Sequence, residues 1–151
     1  MEQVTVTGGG GFVDMNTGKQ PDLPVALRIA LATGQLRRPL ADTLDALIVQ
    51  LVDGDYRILG PLRLPEGRLL SPSADWPPAD GARVTYYRTA IRHGHLPVAV
   101  VLADEGRELI LDGHHKIAAY RAEDVAPCLI RISPGTATTD ADAGSEDAAA
   151  C

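Results

Sequence analysis

The sequence predicts an α+β domain: a small mixed sheet with helices packed on it, preceded by a helical N-terminal extension. Three observations carry this. "LPVAVVLA", from Leu96 to Ala103, is an apolar run of strand length, and Arg107 to Leu111 returns after Asp104-Glu105-Gly106, so the pair reads as a hairpin. At Asp112-Gly113 the pattern changes from strand to helix, with a helix over about His114 to Ala122 and a closing strand over Ala126 to Ile132. Upstream, Leu40, Leu44, Leu47, Ile48 and Leu51 recur at helical spacing.

In chain order, Val4 to Thr7 alternates like a strand and stops at Gly8-Gly9-Gly10-Gly11. The glycines do not make a phosphate loop. Thr17-Gly18-Lys19-Gln20 has Gln where a Ser or Thr hydroxyl is needed, and Pro21 blocks the helix that should follow. A short helix is predicted over Pro24 to Thr33 with Gly34 as its stop, and a longer one over Pro39 to Val52. From Tyr56 to Leu70, short apolar runs cut by Gly60-Pro61 and Pro65-Glu66-Gly67 read as strands and turns. A proline-rich loop around Trp76 follows. Asp80 is a candidate cap for a helix over Ala82 to His93, with Val84, Tyr87 and Ile91 on one face and Gly94 beyond it. After Ser133 the chain lacks large apolar residues, which predicts a disordered acidic tail over 133–151. The expected organisation is therefore an extension over 1–60, a core over 61–132 and the tail.

The 151 residues suit one domain, and the 45% apolar content suffices for a core. Net charge is −6, much of it from Asp140, Asp142, Glu146 and Asp147 in the tail. Nothing there supplies the broad basic surface that nucleic acid needs, although a local basic pocket remains compatible. No run approaches membrane-spanning length and no leader pattern opens the chain, so a cytoplasmic protein is expected. Cys128 and Cys151 do not read as a disulfide framework. Arginine far outnumbers lysine, and with the Ala, Gly and Pro usage this suggests a high-GC, bacterial source.

The chemistry concentrates at Asp112-Gly113-His114-His115-Lys116. Hairpin counting from a turn at Asp104-Glu105 sets Val98 opposite Leu111, Pro97 opposite Asp112 and His95 opposite His114. That would bring His93 or His95 to the start of the next helix. A helix N-terminus offers free N–H groups and the positive end of a dipole, and Gly113 permits close approach of an anion. Lys116 and the imidazoles can add charge or hydrogen bonds, so phosphate is the expected guest. Asp112 could hold a phosphate-bound Mg²⁺ or accept a proton from a substrate hydroxyl. The plainer alternative is a turn with Asp112 as helix cap and solvated imidazoles. A transition-metal site fits less well, because adjacent helical residues such as His114 and His115 diverge by about 100°.

The stretch "HLPVAVVLADEGRELILDGHHKIAAYRAEDVAPCLIRI" resembles the core of the ParB/sulfiredoxin-like superfamily, and the resemblance spans about Leu62 to Ile132. It implies a nucleotide-phosphate site at Gly113, His114, His115 and Lys116. The sulfiredoxin branch carries a Cys where this chain has His114, so sulfinic-acid chemistry is not expected. The partitioning branch binds CTP through an arginine-rich motif and carries a helix-turn-helix domain next, where this chain has its acidic tail. The closest motif is the Asp-Gly-His-His-Arg of the free serine kinases of this fold. The resemblance therefore implies a phosphotransferase acting on a small hydroxyl substrate with ATP or ADP (CTP as the alternative) and Mg²⁺ on Asp112. Those kinases place a catalytic Glu in the loop after the first core strand; "RLLSPSADW" has none, leaving Asp75 or Glu66 beside Asp112 as candidate catalytic carboxylates. Lys116 also lacks the arginine fork. The competing expectation is a non-catalytic domain that binds a nucleotide or phosphorylated ligand and engages a protein partner through the N-terminal helices.

Overall fold

The structure, a computed structural model, describes residues 2–8, 23–37, 39–63, 81–104 and 107–135. The strands are β1 (Glu2–Val6), β2 (Gly54–Arg63), β3 (Ala99–Asp104), β4 (Arg107–Asp112) and β5 (Cys128–Pro134). The helices are α1 (Val25–Thr33), α2 (Leu40–Thr43), α3 (Asp45–Ile48), α4 (Gly81–Arg92) and α5 (His114–Ala122). They form an α+β domain on one mixed sheet of order β1-β2-β5-β3-β4, in which only the β3–β5 pair is parallel.

The run predicted as the strongest strand is β3, between β5 and β4. Period-2 alternation sends its residues to two faces, and both are covered. Val98, Val100 and Leu102 join a large cluster with Leu27, Leu31, Leu40, Leu44, Leu47, Leu51, Tyr120, Ile130 and Ile132. Ala99 and Val101 join a smaller one with Leu62, Ile110, Ile117 and Leu129. The large cluster includes residues from the expected extension, and β1 and β2 extend the same sheet. The boundary expected at residue 60 falls inside β2.

The predicted helix over Pro39 to Val52 is two short helices that meet at Leu44. The leucine stripe was correctly placed, since Leu40, Leu44, Leu47, Ile48 and Leu51 are all buried. The winding tightens instead: Leu47, Gln50 and Leu51 donate to carbonyls three residues back. Both carboxylate oxygens of Glu2 accept from the Leu40 and Ala41 N–H groups, at 2.7 and 2.9 Å, so β1 caps α2. β2 runs through Gly60-Pro61, which the sequence reading took as a break, and its register against β5 shifts between Leu59 and Leu62. A bulge is where a sheet admits proline. Cys128 is wholly buried on β5, and Cys151 lies outside the described residues. Asp75, Glu66, the Trp76 loop, the Asp80 cap and the tail from residue 136 lie outside the described residues.

Candidate functional site

The strand-to-helix switch falls where the sequence put it. β4 ends at Asp112, Gly113 is the N-cap in the left-handed region at φ 107°, and α5 starts at His114. Glycine is required by its neighbour as well as by its backbone: a Cβ at Gly113 would lie 2.8 Å from Ala99 Cβ. The close approach that glycine permits is thus used by β3. The N-cap position belongs to Gly113, and Asp112, one residue before it, is not the helix cap.

Asp112 is paired instead with Lys116. Lys116 Nζ donates to Asp112 Oδ2 at 3.2 Å and to the Val98 carbonyl at 2.9 Å. One turn on, the Tyr120 hydroxyl donates to the Pro97 carbonyl at 2.6 Å. Lys116 and Tyr120 share a helix face and satisfy consecutive carbonyls of the segment that enters β3. The Val98 N–H donates to the Leu31 carbonyl in the last turn of α1, at 2.8 Å. Val98 therefore joins α1 to α5, and Lys116 is the tether. Lys116 is 4% exposed, and burial lowers its pKa while Asp112 opposes the shift. The Tyr87 ring of α4 stands with its centroid 5.9 Å from Nζ. Burial first, and then the Asp112 charge, raise the Tyr87 pKa.

The imidazoles differ in kind. His114 is 3% exposed and its pKa is lowered to about 4 by burial, so it is neutral at pH 7 and supplies no charge there. His115 is half-buried. His93 Nδ1 lies 2.8 Å from the Thr89 carbonyl of its own helix, and the His95 side chain is exposed. The structure brings neither to the junction, because the hairpin register differs from the expected one. Its innermost pair is Asp104↔Arg107, and a shift between Val100 and Val101 then sets Asp112 opposite Val100. Turn placement fixes register, and an error there propagates along the whole hairpin. The sequence reading put Pro97 in that position.

Asp112 remains half-exposed on its open side, with a side-chain exposure of 29%. One carboxylate fits a Mg²⁺ ion held mainly by phosphate oxygens and water, but not an all-protein cage. Among the described residues no group of three His, Cys, Asp or Glu side chains is placed to hold a metal ion.

A feature that sequence reasoning missed lies next to this junction. α1 and α4 form a groove of about 510 Å³ lined by Arg28, Arg83, Tyr86 and Tyr87 with Val25 and Ile29. Tyr87 belongs to both features. The all-round apolar character of "VALRIALAT" was the available signal, since a helix with no polar face seeks contacts on both sides.

The fold and this junction define a mixed α+β domain with a polar strand–helix hinge beside an aromatic, basic groove. Comparison with protein-family models, curated proteins and solved structures finds no match. Among the described residues no helix is long and apolar enough to cross a membrane.

Proposed function

We propose that the chain is a nucleotide-binding domain of the ParB/sulfiredoxin-like type, which receives the phosphates of its ligand at the N-terminus of α5. The observation that carries this reading is the start of α5 directly after a glycine N-cap, beside the buried Lys116 and the half-exposed Asp112. The dipole of α5 and the direction of its first-turn N–H groups supply the attraction for an anion. In this reading Gly113, His114 and His115 contribute backbone N–H groups, and the His115 side chain adds a hydrogen bond. Lys116 acts through the field of its ammonium and by fixing the hinge, since two of its three donors already serve Val98 and Asp112.

Binding is better supported than turnover, because Asp112 shares its charge with Lys116. Phosphotransfer to a small alcohol is the second reading. It is favoured by the open side of Asp112, where Mg²⁺ between the carboxylate and the phosphates would supply charge neutralisation. Calorimetric titration with pyrophosphate and ADP, with and without Mg²⁺, tests binding. Saturable heat with both ligands supports it, and no heat with either rejects it. Nucleotide turnover across a panel of amino acids and other small alcohols, abolished in Asp112→Asn, would establish the second reading.

A further inference from the structure

The α1–α4 groove has a composition that the hinge does not explain. Val25, Ile29 and Tyr86 are 67%, 58% and 65% exposed, and all three line it. Large apolar side chains gathered in one concavity leave apolar area in water that a ligand can cover. Tyr86 is steadied by an edge-on contact with Tyr87, centroids 5.3 Å apart, while most of its surface stays in solvent. Arg28 and Arg83 bring two guanidinium groups to the same walls, in a chain whose net charge is −6. Tyrosine and arginine are among the side chains that stack on flat heteroaromatic rings. A volume of about 510 Å³ lies within the roughly 300–1,000 Å³ of small-molecule sites.

The groove and the α5 junction share a wall. Tyr87 lines the groove and faces Lys116, and Arg28 of α1 acts electrostatically on both Tyr87 and Lys116. A ligand that fills the groove therefore has an anion site within reach at one end.

We infer that the α1–α4 groove is the base-binding half of a nucleotide site, with the ring held against Tyr86 and Ile29, and the phosphates directed past Arg28 toward α5. This rests on the phosphate site proposed above and adds the surface that holds the flat aromatic group of its ligand, which a bare phosphate or a sugar phosphate leaves empty. It also gives α1 a role in recognition.

The test compares pyrophosphate, ribose 5-phosphate and the nucleoside diphosphates ADP, GDP, CDP and UDP by calorimetry, on the wild-type chain and on Tyr86→Ala and Ile29→Asp. Both side chains are largely exposed, so the variants are expected to fold, and circular dichroism verifies it. At least one nucleoside diphosphate is expected to bind about tenfold or more tighter than pyrophosphate or ribose 5-phosphate, as base stacking implies. Each variant is expected to lose that advantage while its affinity for pyrophosphate is unchanged. Pyrophosphate binding as tight as every nucleoside diphosphate, or full nucleotide affinity in Tyr86→Ala, overturns the inference and leaves the phosphate site standing. Binding of none of these ligands overturns both.

Discussion

Lys116 Nζ lies 3.2 Å from Asp112 Oδ2, across the point where β4 becomes α5. The same ammonium donates to the Val98 carbonyl, so one side chain closes the hinge between the sheet, α5 and the segment that α1 holds from its other side. The two partners are unequal: Lys116 has a side-chain exposure of 5% and Asp112 of 29%. Removing the ammonium strands a buried carbonyl and a half-buried carboxylate, whereas removing the carboxylate charge leaves Val98 as an acceptor.

Lys116→Met is accordingly expected to destabilise the fold by about 2–3 kcal/mol, and Asp112→Asn by about 1 kcal/mol. Urea denaturation at pH 7 measures both. Equal losses would show that Val98 does not depend on Lys116.

Gly113→Ala is expected to cost about 2–3 kcal/mol, because the residue combines φ 107° with a Cβ position 2.8 Å from Ala99 Cβ. The double variant Gly113→Ala/Ala99→Gly removes the closest collision and keeps both the 3.0 Å approach to Ala99 Cα and the backbone strain, so it should relieve less than the whole loss attributable to Gly113→Ala. Denaturation of the two single variants and the double variant provides the cycle.

His114 gives a pH signature. Its folded pKa of about 4 lies below the ordinary 6.5, so the unfolded chain binds the proton more readily between these values. The contribution is fully present above pH 6.5 and is lost as pH falls toward 4, with a slope of at most about 1.4 kcal/mol per pH unit. His114→Gln should flatten that part of the stability profile relative to wild type. Parallel profiles would mean that His114 titrates alike in the folded and unfolded chain.

Glu123, at the end of α5, accepts from Arg92 at 2.7 Å and from Arg88 at 2.7 Å, both on α4. These contacts lower its pKa to about 2, with Arg92 the larger cause. The pairing stabilises the fold above pH 4.5 and fades as pH falls through 4.5 toward 2. Side-chain NMR titration should find a midpoint near 2 in the wild-type chain and one close to the ordinary value in Arg88→Ala/Arg92→Ala.

Local signals made much of this legible in the sequence. Gly34 and Gly94 stop α1 and α4, and Asp112-Gly113 marks the start of α5 to the residue, because left-handed backbone and period changes are written locally. What depended on pairing was not. The register of β3 on β4 turned on the placement of a turn and on a bulge that no single residue announces. The sequence places Lys116 beside the expected phosphate, and nothing in it says that the Val98 carbonyl lies beneath the ammonium. The groove was invisible for the same reason: Arg28 and Tyr86 are distant in sequence, and only the packing of α1 beside α4 joins them. Those same long-range contacts join β1, α1, α2, α3 and the first part of β2 to the sheet and core that the sequence assigned to 61–132 alone.

The central claim is that α5 receives phosphate at its N-terminus. Amide chemical-shift mapping during titration with pyrophosphate addresses it most directly. Saturable shifts centred on the N–H groups of Gly113, His114, His115 and Lys116, weakened by raised salt, are the expected result. No saturable shift, or saturable shifts that spare these four amides, would contradict it.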